Sequence, residues 1–292
     1  MEPRQALQLV LDENAIWADV DAPAHNGLST DMHPRHAKAQ AKDQNPDVSV
    51  LFCIDSRLHG KIIGAGTGEM FSTRTAGNVV DMGLVPEQDE NGKIHLSPRS
   101  LVAASLEYPV IKSNPTRLLL VVGHRGCGAI KEACTLAMER EKQIREKSAK
   151  KNSAPTKNLD YALGLIKVDY QPGDTLDECR NKTEIANVYA QMQALFQASP
   201  DDLKGKYLSG EIMVVPMIYD INTLKVEVLP DLLAPKSMKN PLTEFSSYFP
   251  KDLNLENYRK MFQPLPDSDL LRVKFPAVEP VASKGTTGST TH

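Results

Sequence analysis

Two apolar, β-prone runs, Val48 to Phe52 and Leu118 to Val122, each break off into a short cluster rich in sulfur and nitrogen. The first ends in Cys53-Ile54-Asp55-Ser56-Arg57 and the second in Gly123-His124-Arg125-Gly126-Cys127-Gly128. Neither run alternates polar with apolar residues, which is the pattern of strands covered on both faces, as in parallel sheets. Two parallel strands ending side by side would bring Cys53, His124 and Cys127 into one pocket. Two sulfurs and one imidazole nitrogen suit zinc and leave a fourth position free, the arrangement of a reaction centre rather than of a staple. His124-x-x-Cys127 alone is equally a glycine-rich strand-to-helix turn with a buried cysteine. Cys53 at the end of an equivalent strand favours the metal.

The rest of the chain alternates strands with helices. Apolar positions at Ala6, Leu7, Val10, Leu11, Ile16 and Trp17 predict an N-terminal helix, and His33 to Asp43 a second one that ends before Asn45-Pro46. Glu69 to Thr73 reads as a short strand leading into Ala76-Gly77-Asn78. Pro86 to Pro98, with Asn91-Gly92, reads as a loop or turn excursion. Ser97 to Ile111 predicts a helix feeding the strand Leu118 to Val122, and Gly126 to about Arg145 another. Thr175 to Gln197 predicts a strong helix with Leu176, Ile185, Val188, Met192 and Leu195 on a face. Glu211 to Ile218 and Lys225 to Leu229 read as a strand pair turning at Asp220 to Thr223. One further helix is expected near Leu255 to Phe262. The fold class is therefore α/β: a mostly parallel central sheet flanked by helices, with an N-terminal helical arm. The expected divisions are an arm at 1–45, a zinc-binding α/β catalytic domain at 46–232, a C-terminal extension with a short helix at 233–279, and a disordered Ser/Thr/Gly-rich tail at 280–292.

Charge and cysteine usage remove several classes. A formal net charge of -3 gives no electrostatic case for nucleic acid or an anionic membrane. The Lys/Ser/Asn-rich segment 142–158 reads as a solvated helix end rather than a nucleic-acid contact. No apolar run approaches the roughly 20 residues that span a bilayer. The first residues lack the apolar core of a secretory signal, and Asp12 and Glu13 argue against an organellar transit peptide. Four cysteines in 292 residues do not make a disulfide scaffold. Cys134 and Cys179 read as ordinary thiols, and His33-x-x-His36 as a solvated helix start. A cytoplasmic enzyme is expected.

Cys53-x-Asp55-x-Arg57 with a later His124-x-x-Cys127 resembles the β-class carbonic anhydrase signature. The resemblance extends to Asn14-x-x-Trp17, to Gln44 ahead of Cys53, and to Phe71-x-x-Arg74-x-Ala76-Gly77-Asn78. It continues through Ser105-Leu106-Glu107-Tyr108, Asn187-Val188 and Ile218-Tyr219-Asp220-Ile221, covering roughly residues 5–230. Two positions depart from it. Gly128-Ala129 stands where Gly-Gly is common, and Val50 where the bicarbonate-regulated subtype carries Trp, so regulation by that route is not expected.

The resemblance implies one Zn2+ per subunit on Cys53, His124 and Cys127, and reversible hydration of CO2 to bicarbonate and a proton through zinc-bound hydroxide. Two thiolates cancel the charge of the ion, so its water is acidified less than at a three-histidine site. Asp55, kept ionised by Arg57, would accept the proton of the hydroxide and aim its lone pair, or in some members close onto the metal. Gln44, Phe71, Ala76, Tyr108 and the backbone N–H of Gly128 would line or face the substrate. The family's dimers, or assemblies of dimers, would place some of these at a neighbour's zinc. Carbonyl sulfide or carbon disulfide hydrolysis is the alternative chemistry, and a noncatalytic zinc-stabilised interaction protein the alternative class.

Overall fold

The computed structural model describes residues 46–270, apart from positions 47, 64, 66, 67, 69, 89, 112–115, 147–157, 239, 240 and 252. The two expected N-terminal helices, Gln44 and the Ser/Thr/Gly-rich tail lie outside the described residues.

Among the described residues, seven strands form two sheets. In the larger, β2 (Met70–Thr75), β1 (Val48–Cys53), β5 (Leu118–His124), β6 (Met213–Asp220) and β7 (Lys225–Val228) stand in the order β2-β1-β5-β6-β7. The first three pairings are parallel and only β6–β7 is antiparallel, so the sheet is mostly parallel, as its apolar strands require. Its helices are α1 (Leu101–Ile111), α2 (Gly128–Arg145), α3 (Asn158–Gly164), α4 (Leu176–Ala198), α5 (Leu203–Ser209), α6 (Leu255–Met261) and α7 (Asp267–Leu270).

Each central strand feeds two cores by its period of two. Leu51, Leu119, Val121, Val214 and Ile218 enter one core, with Leu106 of α1, Tyr189 and Met192 of α4 and Tyr258 of α6. Val50, Phe52, Leu120, Val122 and Val215 enter the other, with Ile130 and Cys134 of α2. Residues beyond the sheet, Leu232, Leu233 and Phe262 among them, complete the first core.

Pro86 to Pro98 is not a loop. Gly83–Gln88 (β3) and Ile94–Arg99 (β4) pair antiparallel as a separate two-stranded sheet. The reason lies in its two faces. Glu87 bonds Arg99 and accepts from Ser97 Oγ at 2.6 Å on one side, whereas Leu84 and Leu96 stand exposed on the other. Asn91-Gly92 closes the hairpin with Gly92 at φ 79°, and the prolines are tolerated because both strands are edges. The hairpin also takes residues 97–99, so α1 starts at Leu101 rather than Ser97. Thr175 caps α4 by a reciprocal pair with Glu178: its Oγ1 accepts from Glu178 N at 3.2 Å, and Glu178 Oε2 accepts from Thr175 N at 2.7 Å.

The strand order sets the site. From β1 the chain turns outward to β2, then returns past β1 to β5 and proceeds to β6 on the other side. The carboxyl ends of β1 and β5 therefore border the point where the winding reverses, which is where open α/β sheets form ligand crevices.

Candidate metal centre

The parallel register Phe52↔Val122 carries Cys53 to the Gly123–His124 end of β5. Gly126, at φ 73°, then turns the chain so that Cys127 begins α2. Cys53, His124 and Cys127 are all buried, and one ligand atom from each lies within 4.8 Å of the others. No fourth His, Cys, Asp or Glu among the described residues joins this cluster.

The donor atoms fit a cation. The two sulfurs are 3.9 Å apart, close to the ~3.8 Å that tetrahedral zinc–thiolate geometry demands. His124 Nδ1 lies 3.1 Å from the carbonyl of Arg125, which assigns the ring proton to Nδ1 and a lone pair to Nε2. Nε2 is buried with no hydrogen-bond partner among the described residues. A buried nitrogen left this way is costly unless something electrophilic faces it. The hydrogen bond between the two thiols draws Cys53 down to about 4, while that same bond and burial push Cys127 up and favour its proton. A divalent cation would displace it.

Asp55 and Arg57 meet as a fork. Arg57 Nε and N–H donate to Asp55 Oδ1 at 2.8 and 3.0 Å, and Nη2 donates to Oδ2 at 2.6 Å. These bonds hold the Asp55 carboxyl well below the usual carboxylate range, so it is ionised at every pH of interest. Arg74, on the neighbouring strand β2, donates from Nε to the Cys53 carbonyl at 3.1 Å and from Nη2 to the Asp55 carbonyl at 2.6 Å. The sequence motif contains Arg74 without showing this task, because its partners come from another strand.

The other expected site residues are more scattered. Ala76 sits in the turn after β2, whose next residue, Gly77, donates its N–H to Cys53 Sγ at 3.3 Å. Gly128 opens the first turn of α2 and faces open space. Phe71 and Tyr108 meet edge to face at 6.5 Å, with Tyr108 more than half exposed. Cys134 and Cys179 are buried free thiols near Thr183, apart from the cluster.

Sequence reading also passed over Glu184. Its side chain is fully buried on α4, and its Oε1 accepts from the backbone N–H of Gly126 at 2.8 Å and of Cys127 at 3.1 Å. Arg125 and Arg180 each approach to 3.6 Å. Burial pushes this carboxyl up, against the two amides and two arginines. Glu184 follows the polar run Arg180-Asn181-Lys182-Thr183, so nothing in the sequence signals its burial.

Fold and cluster together define an α/β protein with a Cys–His–Cys group that could hold a metal ion at the carboxyl end of a mostly parallel sheet. A sequence model of the carbonic anhydrase family matches residues 48–226, and the chain belongs to that family, in its β class. Carbonic anhydrase 2 of Mycobacterium tuberculosis is 35% identical over 112 residues, 38% of this chain and 43% of that protein. A carbonic anhydrase of Mycolicibacterium smegmatis is 33% identical over 140 residues, 48% of this chain and 56% of that protein. The matched stretches thus span about half the length of these relatives. Among solved structures, the β-carbonic anhydrase CcaA superposes with a TM-score of 0.53 at 19% identity, covering 84% of this chain and 99% of that one. This shows a shared fold. No helix among the described residues is long and apolar enough to cross a membrane.

Proposed function

We propose that this protein is a zinc-dependent carbonate dehydratase that interconverts CO2 and bicarbonate. The observation that carries the reading is the buried Cys53–His124–Cys127 cluster with the Asp55–Arg57 fork beside its first ligand. Zinc held by these three side chains supplies a Lewis acid that brings a water pKa toward neutrality.

What the chain adds follows from its own bonds. Asp55 Oδ1 takes two hydrogen bonds from Arg57, whereas Oδ2 takes one, so Oδ2 keeps a lone pair for the hydrogen of the attacking oxygen. Held there, that oxygen presents its own lone pair to the carbon. Arg57 fixes the carboxylate and keeps it charged. Arg74 clamps the Cys53 and Asp55 carbonyls and so fixes the loop that carries ligand and carboxylate alike. The Gly128 N–H, at the positive end of α2, is suited to a product oxygen. Gln44 is assigned to bind a substrate oxygen, and Phe71, Ala76 and Tyr108 to the apolar lining. The exposed Tyr108 suits cover by a second copy, in a homodimer or an assembly of dimers. Residues 46–232 are taken as the catalytic unit and the cytoplasm as its compartment.

Stopped-flow hydration of CO2 by the zinc-loaded protein tests this, with hydrogen sulfide release from carbonyl sulfide and carbon disulfide measured alongside. The expected result is hydration well above the buffer rate that rises with pH and vanishes in Cys53→Ala and His124→Ala. Sulfide release without hydration would reassign the substrate. Full zinc occupancy with no turnover of any of the three gases would leave a noncatalytic protein.

A further inference from the structure

Helix α4 carries polar side chains at Glu184, Asn187 and Gln191, all buried and on one face by their spacing of three and four. Buried polar groups in a helix that packs between sheet and α2 demand partners. Theirs lead toward the metal cluster. Glu184 Oε1 accepts from the Gly126 and Cys127 amides, fixing the turn that delivers Cys127. Asn187 Nδ2 donates to the Gly77 carbonyl at 2.8 Å, and the Gly77 N–H donates to Cys53 Sγ. Gln191 locks Asn187: its Nε2 donates to Asn187 Oδ1 at 2.9 Å and to the Leu165 carbonyl at 3.1 Å. Its Oε1 accepts from Val80 N at 2.7 Å.

We infer that Glu184, Asn187 and Gln191 form a positioning stripe that sets both sulfur ligands from a single helix, Glu184 through the Cys127 turn and Asn187 through the Gly77 amide. None of the three touches a ligand sulfur. Their action is to fix the backbone that does, and to supply the hydrogen bond that tempers the Cys53 thiolate. Gly77 suits this chain of contacts: its φ is 67°, and a Cβ there would meet Ile166 Cδ1 at 3.1 Å, so the turn is glycine by conformation and by space. Supporting partners of this kind typically alter metal affinity tenfold to a hundredfold when removed.

The inference rests on the zinc reading above, and the test separates the two. Affinity is measured by competition with a chromophoric chelator, and Co(II) is loaded as a spectroscopic probe of the thiolates. Wild type should bind one metal per chain and show thiolate-to-cobalt charge-transfer bands. Glu184→Ala and Asn187→Ala should weaken binding about tenfold to a hundredfold and shift the cobalt bands. Glu184→Gln, which keeps an acceptor oxygen of the same reach, should recover all but a few-fold of the loss. A merely structural role would lower the urea midpoint but leave affinity and bands of the folded protein unchanged. Should Glu184→Ala not fold, Glu184→Gln and Asn187→Ala decide the matter. Affinities within twofold of wild type with unshifted bands in the folded variants overturn the inference. A wild-type chain that binds no metal overturns the zinc reading and the inference with it.

Discussion

Replacing Gly123 by alanine probes how closely α4 approaches the strand that carries His124. Gly123 is buried on β5 with no positive φ, so conformation does not require glycine. Space does: a Cβ there would lie 2.6 Å from Val188 Cγ2, 3.3 Å from Ile218 Cδ1 and 3.4 Å from the Glu184 carbonyl. The nearest atom belongs to a fully buried β-branched side chain with little rotameric freedom, so the helix itself must move. Overpacking of this kind costs about 1–3 kcal/mol. Alanine also narrows the unfolded ensemble, which offsets about 0.4–1 kcal/mol. The net expectation is destabilisation of up to about 2.6 kcal/mol, read as a lower urea midpoint at unchanged slope. The decisive measurement is a double-mutant cycle with Val188→Ala. If the clash with Val188 is the cause, the double variant should be more stable than the sum of the single effects by about 1 kcal/mol or more. Additivity to within ~0.5 kcal/mol would refute the packing argument.

Four other outcomes are expected. Asp55→Ala should keep stoichiometric zinc by metal analysis yet lose most CO2 hydration, since the fork orients the nucleophile rather than holding the ion; zinc loss would point to a structural role instead. Chelation should lower Tm: if free zinc stands at 100 times Kd, binding contributes about 2.7 kcal/mol, or roughly 5–10 °C in a chain of this size, and an unmoved Tm would contradict metal binding by the native state. Asp174 is pulled down despite its burial by Lys182 at 2.5 Å and the Gln171 amide. Because its folded pKa lies below the unfolded one, its contribution is present above about pH 4 and fades as pH falls further, so Asp174→Asn should cost up to about 1 kcal/mol at pH 7 and less at pH 3, by urea titration at each pH. Thr175→Ala, which breaks the capping pair with Glu178, should cost about 1 kcal/mol with no change in metal affinity.

Much of the site was legible because it is built from local signals. The runs Val48 to Phe52 and Leu118 to Val122 encode strands buried on both faces, and such strands must lie in the interior of a parallel sheet. Once they pair, the residues immediately after them are neighbours, so Cys53, His124 and Cys127 converge without further information. Asp55 and Arg57 are two residues apart, and their fork is a short-range matter. Pro86 to Pro98 reads as loop from its prolines and Asn91-Gly92, whereas backbone pairing from Gly83↔Arg99 to Gln88↔Ile94 makes it part of a hairpin, with Glu87 linking Ser97 and Arg99 across it.

The α/β class, the convergence of Cys53, His124 and Cys127, and the adjacent carboxylate–guanidinium pair all follow from local patterns: two apolar runs that must pair in a parallel sheet, and the residues that come directly after them. The tertiary structure decided what holds them in place. Arg74 reaches the Asp55 carbonyl across 19 positions, Glu184 reaches the Cys127 amide across 57, and Asn187 reaches the Gly77 carbonyl across 110. A polar side chain in a helix reads the same whether it faces water or an orphaned amide. Packing α4 against β5 and the Ala76–Asn78 turn excludes the water, and that exclusion makes the Glu184 and Asn187 bonds obligatory.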